Sequence, residues 1–162
     1  MDKPKIGNKH YKQGKFSPRN PSKYAGNPTN ILYRSSWELC FLKWCDTNPA
    51  VLKYCSEEMI VPYISPIDNK QHRYFIDFVI FVRTREGNLK RIAIEIKPYA
   101  ETILPRTKKN LITESDKQKY QKKIETYYIN QTKWKYAKVF CKNLGMDFIV
   151  LTERELFKKK KR

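Results

Sequence analysis

A mixed α/β domain, with a central sheet flanked by helices, is predicted by three features of this sequence. Apolar residues recur at helical spacing after residue 33 and again after residue 113, runs of β-branched and aromatic residues lie between, and a short apolar strand follows the second helical region. The predicted order is helix, three strands, helix or helix pair, strand. With 162 residues, 40% of them hydrophobic and 14% aromatic, the chain can bury the core of one domain. That content also argues against wholesale disorder.

Residues 1–30 are rich in Lys, Asn, Pro, Gly and Tyr, with Ser-Pro and Asn-Pro turn signals and no sustained period. They read as an extended basic arm. Tyr11, Phe16 and Tyr24, interleaved among the lysines, favour an arm that packs on something over a disordered leader. The expected division is an arm over 1–30, a folded domain over 31–157 and a basic tail over 158–162.

The first helix is expected from Tyr33, with Tyr33, Trp37, Cys40, Phe41 and Trp44 forming one apolar stripe. Asp46-Thr47-Asn48-Pro49 stops it. Residues 55–64 read as a strand, and Pro62 suits an edge or an end. Two further β-rich runs, about 72–84 and 89–97, flank Arg85-Glu86-Gly87-Asn88, a hairpin turn. Residues 98–110 form a loop. Thr113-Glu114-Ser115-Asp116 resembles a capping box and opens a helix with Tyr120, Ile124, Tyr127 and Tyr128 inward and lysines outward. Asn130-Gln131-Thr132 is a candidate interruption, and an amphipathic stretch resumes at Trp134 and stops at Gly145. DFIVL at 147–151 is a buried strand, and Thr152–Glu155 caps a short last helix.

Thirty-four Lys and Arg against 16 Asp and Glu give a net charge of +18. Such a charge repels itself in a compact state and points to a polyanionic partner, with DNA or RNA first. No segment approaches the roughly 20 apolar residues of a spanning helix, and the first 15 residues lack the apolar core of a signal peptide. No membrane partner is expected, and the reading is cytoplasmic. Cys40, Cys45, Cys55 and Cys141 have no CxxC pairing and the histidines are His10 and His72, so neither zinc nor a disulfide framework is indicated. Cys40 and Cys45, among apolar neighbours, are expected to be buried thiols.

The chemistry concentrates in two strands. In IAIEIKP, Glu95 and Lys97 share one face while Ile92, Ile94 and Ile96 point to the other. Glu-x-Lys alone in a strand is commonly just an ion pair. Asp77, however, lies inside the apolar run YFIDFVIFV, where a carboxylate is costly unless its charge is offset. A hairpin centred near Gly87 sets Asp77 opposite Glu95 to Lys97. Two carboxylates beside a lysine make a hard-oxygen site for Mg²⁺, with Mn²⁺ as a substitute. That donor set suits phosphodiester hydrolysis: a metal-activated water attacks while the lysine offsets charge on the phosphate.

Asp77, the Glu95-Ile96-Lys97 motif after a hairpin and a preceding helix bearing Glu38 resemble the PD-(D/E)xK nucleases. That family implies a restriction-endonuclease-like αβββαβ core, matched in order across residues 33–152. YRSSWE at 33–38, SEE at 56–58, YFIDF at 74–78, IEIKP at 94–98 and the basic N-terminal segment resemble the T4-like phage head completion nucleases more closely. The endonuclease subunit of heteromeric transposases is more distantly similar. The resemblance implies metal-dependent cleavage of double-stranded DNA in completing the phage head after packaging, in the host cytoplasm or on the virion, beside capsid or portal proteins. Carried over by position, Asp77, Glu95 and Glu38 bind metal and Lys97 is the catalytic lysine. Ile76 stands where the family name has proline.

Glu38 has a second reading, since Ser35 and Glu38 also fit a capping box. His72 is expected at a sheet edge, Glu57 and Glu58 in solvent, and Trp37, Trp44 and Trp134 in the core. The lysines of 117–123 and Gln121 are candidates for phosphate contact or for the site's lining. The competing reading of the whole chain is a non-catalytic DNA- and capsid-binding protein that retains a nuclease fold.

Overall fold

The structure is a computed structural model that describes residues 13–107 and 113–157. Its chain order is β1 (Gly14–Phe16), β2 (Ile31–Tyr33), α1 (Ser36–Thr47), β3 (Val51–Ser56), β4 (Ile60–Ile64), β5 (Gln71–Phe75), β6 (Phe78–Arg83), β7 (Leu89–Ile96), α2 (Glu114–Asn143), β8 (Asp147–Leu151) and α3 (Glu153–Leu156), with single 3₁₀ turns at Pro21–Lys23 and Tyr99–Glu101. The central sheet runs β3-β6-β7-β8, antiparallel except for the parallel β7–β8 pair. β1–β2 and β4–β5 form separate two-stranded sheets. Without the β4–β5 hairpin, the order α1, β3, β6, β7, α2, β8 is the expected αβββαβ core, and the mixed sheet between helices is as predicted.

Side-chain alternation along β6 and β7 builds a core on each face of the sheet. Phe78, Ile80, Ile94 and Ile96 meet Phe41, Leu42 and Cys45 of α1, while Ala93 lies in the second core with Trp134, Ala137 and Cys141 of α2. Each such Leu, Ile or Phe contributes about 1.5–3 kcal/mol of burial. The expected alternation of Ile92, Ile94 and Ile96 against Glu95 therefore holds. It also puts Glu95 on the α2 face.

Residues 14–33 are woven into the first core. β1 pairs with β2, and Phe16, Tyr24 and Ile31 are buried there. Asp46, buried at the end of α1, accepts from the backbone amides of Arg19 at 2.7 Å and Asn20 at 3.0 Å. The Lys23 ammonium donates to the carbonyls of Cys45, Asp46 and Asn48 at 2.8, 3.0 and 2.8 Å. It satisfies carbonyls that a helix C-terminus leaves orphaned and opposes the negative end of the dipole. Tyr11 lies outside the described residues.

Several local expectations differ from the structure. Helix α1 begins at Ser36, not Tyr33, because Tyr33 pairs with Gly14 in β2–β1. The buried stripe is therefore Phe41, Leu42 and Cys45, with Cys40 and Trp44 exposed. The strand expected over 55–64 is two, β3 and β4, separated by Glu57 in the left-handed region (φ 55°). The run expected over 72–84 is also two, broken at Ile76 and Asp77. The Ile76 amide donates to the Met59 carbonyl at 3.0 Å, and the Glu57 amide to the Asp77 carbonyl at 3.1 Å. One hairpin, β4–β5, thus leaves the sheet between β3 and β6. Helix α2 runs uninterrupted through Asn130-Gln131-Thr132. Only from Asn130 onward does it bury side chains, so Tyr120, Ile124 and Tyr127 are half-buried and Tyr128 is exposed. No helix among the described residues is long and apolar enough to cross a membrane.

Candidate active site

The break between β5 and β6 delivers Asp77 to the end of β7. The register pairs Phe78 with Ile94, so Asp77 comes next to Glu95 as the hairpin about Gly87 (φ 85°) requires. One Asp77 oxygen, Oδ2, accepts from the Ile96 amide at 2.8 Å. Glu95, only 3% exposed, accepts from the Tyr74 hydroxyl at 2.8 Å through Oε2, and its Oε1 lies 3.3 Å from the Lys97 ammonium. Lys97 follows the last residue of β7, and its amide donates to the Leu151 carbonyl at 2.9 Å. Three of the four sequence-derived residues, Asp77, Glu95 and Lys97, are thus assembled at one end of the sheet.

The electrostatics of this group are strained on one side and satisfied on the other. Burial, then the neighbouring Glu95 carboxylate, pushes the Asp77 carboxyl well above its ordinary value, against the opposing pull of the Ile96 amide and Lys97. Burial pulls Lys97 down, but Glu95 and Asp77 outweigh it, and the amine is held above its ordinary value as a cation. Burial and then Glu95 push the Tyr74 phenol far up, so it remains a donor at any working pH. One lysine does not offset two desolvated carboxylates. A divalent cation fits that deficit, since Mg²⁺ typically takes one or two protein carboxylates and fills its shell with water and substrate oxygens. Among the described residues no three His, Cys, Asp or Glu side chains are grouped to hold a metal by themselves.

Glu38 lies nearby but is not grouped with the pair. Its Oε2 accepts from the Arg34 amide at 2.8 Å, its Oε1 from the Ser35 hydroxyl at 3.0 Å, and its own amide donates to Ser35 Oγ at 3.1 Å. Ser35 is therefore the N-cap, but the expected capping box is only half made, because the Glu38 carboxylate takes the Arg34 amide and the Ser35 hydroxyl in place of the Ser35 amide. The physical reason for the separation is the sheet itself: α1 packs on the Ile94–Ile96 face, whereas Glu95 is on the α2 face. Glu38 reaches the site through its field, adding to the upward push on Asp77.

Glu57 is held by Arg34 in a two-point ion pair at 2.7 and 3.1 Å, and Glu58 is exposed. His72 is exposed and pairs with Asp68 at 2.8 Å. Gln121 donates to Glu125 at 3.2 Å on the exposed part of α2, among the exposed Lys117, Lys119, Lys122 and Lys123. Trp134 is buried, Trp37 packs edge-on against Phe157, and Trp44 is exposed. Tyr74, which touches Glu95, and Lys133, one side chain removed on the Tyr74 ring, are absent from the site residues read in the sequence. Tyr74 carries a detectable signal, since three residues before Asp77 it shares that residue's strand run; Lys133 carries none, because helix α2 approaches the sheet only in three dimensions.

The chain matches the TnsA-like endonuclease N-terminal family over residues 48–153. It is also similar to the head completion nuclease of Enterobacteria phage T4, with 39% identity over 140 residues that span 86% of this chain and 90% of that protein. Residues 48–153 hold Asp77, Glu95 and Lys97 and the strands that align them, and the fold is restriction-endonuclease-like. The chain belongs to the TnsA-like endonuclease family.

Proposed function

We propose that this protein is a divalent-metal-dependent DNA endonuclease, or end-trimming nuclease, that acts in completing phage heads after DNA packaging. The carrying observation is the assembly of Asp77, Glu95 and Lys97, with two desolvated carboxylates against one lysine. The name of the T4 relative supports the head-completion setting. Double-stranded DNA is the proposed substrate, capsid or portal proteins the proposed neighbours, and the host cytoplasm or the virion the proposed location.

Asp77 and Glu95 would hold Mg²⁺, for which Mn²⁺ would substitute. When bound, such an ion polarises phosphoryl oxygens and makes water a stronger nucleophile. Asp77 has Oδ2 fixed by the Ile96 amide, which sets the carboxylate's orientation at the break. Tyr74 holds Glu95 from behind. Lys97, kept cationic by the carboxylates around it, is placed to orient water and to neutralise charge developing on the phosphate. Glu38, tied to the Arg34 amide and the Ser35 hydroxyl at the start of α1, would join the metal site through a bridging water. The +18 charge draws the polyanion in.

The test is cleavage of supercoiled plasmid with Mg²⁺, Mn²⁺ or chelator by wild type, Asp77→Asn, Glu95→Gln and Lys97→Ala. Cleavage should need metal, vanish with either carboxylate, and fall about 10²–10³-fold without the lysine. A wild-type protein that binds plasmid with metal but leaves it intact would establish the non-catalytic reading instead. Glu38→Gln, which preserves the cap, should lose most cleavage while melting close to wild type; full activity would leave Glu38 a cap alone.

A further inference from the structure

Lys133 stands in the α2 half that packs on the sheet, and its environment is unlike that of the other helix lysines. It is half-buried, whereas Lys117, Lys119, Lys122, Lys123, Lys135, Lys138 and Lys142 are exposed. Its ammonium lies 5.4 Å from the centre of the Tyr74 ring and 5.7 Å from that of Tyr63. Tyr74 is the residue whose hydroxyl holds Glu95. The amine is thus one side chain removed from the site, on the face where Glu95 points.

Among the described residues no carboxylate lies within ion-pair distance of Lys133. Burial, and then Lys97, lower its pKa, while Glu95 and Asp77 act in the opposite sense at longer range. Cation–π contact with two tyrosines returns about 0.5–2 kcal/mol, and an ammonium withdrawn from water needs more than that. Neighbouring donors on α2 repeat the pattern. One turn earlier Asn130 is 5% exposed and its Nδ2 has no partner among the described residues, and the same holds for Nε1 of the buried Trp134. This stretch of α2 thus holds more buried donors than partners, and of these the half-buried Lys133 ammonium is the one an anion from solvent could reach.

We propose that Lys133 is a second phosphate-binding cation of this active site, engaging a backbone phosphate of the DNA beside the one Lys97 serves. This rests on the nuclease reading for its DNA, and it adds a residue from a different element to the site. The aromatic rings aim the amine and keep it poorly hydrated. A phosphate oxygen then meets a cation that has little water to shed. The salt-dependent attraction that the basic surface supplies elsewhere is diffuse; here it is directed.

The experiment measures binding of a short duplex across a series of KCl concentrations in chelator, and single-turnover cleavage in Mg²⁺, for wild type, K133M and K133R. Methionine keeps the aliphatic stem on the two rings and arginine keeps the charge. K133M should flatten the log–log salt slope by about 0.9, the share of one phosphate contact on duplex DNA. It should also slow cleavage by at least about tenfold, the order of a lost directed charge contact, and K133R should restore the slope. Unchanged slope and rate in K133M overturn the proposal. So does a loss that K133R shares together with a lowered melting temperature, because Lys133 would then act through folding. If wild type cuts nothing, the nuclease reading fails, and the salt slope still decides whether Lys133 meets a phosphate.

Discussion

Tyr74→Phe removes one oxygen and leaves the ring in place. In the native protein that hydroxyl donates to Glu95 Oε2 at 2.8 Å, and both residues are 3% exposed, so water has little access to replace the bond. A hydrogen bond to a charged group is worth about 1.5–3 kcal/mol. Taking about 2 kcal/mol, and about 2–4 °C per kcal/mol for a chain of this size, the variant should melt about 4–8 °C below wild type. The Tyr74 phenol is pushed far above its ordinary value by burial and by Glu95, so the deficit should not change through the neutral and mildly alkaline range. A bound cation favours the variant's less-partnered carboxylate more than the wild type's, and the gap should narrow in saturating Mg²⁺. Thermal unfolding followed by circular dichroism, in chelator and in Mg²⁺, reads both effects. Equal melting in chelator would refute the energetic role assigned to the bond, and a gap that ignores Mg²⁺ would separate Glu95 from the metal.

In chelator, Asp77→Asn should be more stable than wild type near neutral pH. A carboxyl raised in the folded state binds its proton more tightly there than in the unfolded chain, so wild-type stability falls as pH rises from the ordinary value of 3.8 through the raised one. Urea midpoints against pH should slope less in the variant and converge in acid; a parallel pair of curves would contradict the assignment. Ile76→Ala, at a side chain with 0% exposure, should destabilise by about 2–5 kcal/mol, and Ile76→Val by about 0.5–1.5 kcal/mol, by denaturant titration. Because Ile76 fixes the residue before Asp77, the alanine variant should also cut more slowly in a plasmid assay run well below its melt. Lys23→Met should lower stability by about 2 kcal/mol, since three carbonyls at the end of α1 lose their cation; calorimetry checks it.

The placement of Asp77, Glu95 and Lys97 is legible because strand alternation and the register of a short hairpin are local rules that their neighbours obey. The break at Ile76–Asp77 is not, since YFIDFVIFV has the composition of one continuous strand and only the Ile76–Met59 and Glu57–Asp77 backbone bonds divide it. The stripe of α1 is not legible from its sequence, because helical spacing starts at Tyr33, a residue held in β2 by its partner Gly14, 19 positions away. Glu38 illustrates a different limit. Its pairing with the N-cap Ser35 could be read directly, yet which face of the sheet α1 covers depends on tertiary packing. Lys133 was invisible for the same reason, and so was the bend of the chain that hides Lys23 under α1.

The seating of residues 13–30 has a consequence for how this protein can be cut down. A truncation at residue 25, chosen to strip positive charge, would also withdraw Phe16 and Tyr24 from the first core and the amides of Arg19 and Asn20 from Asp46. The helix carrying Glu38 would lose its anchor at the far end, and a weaker grip on DNA would then report a loosened body as much as a missing arm. Charge-neutral replacement of the lysines before residue 13 keeps Phe16, Arg19, Asn20 and Tyr24 in the chain to make that anchor. Residues 13–30 are a buckle on the first core, and any change that opens the buckle is felt by the whole body.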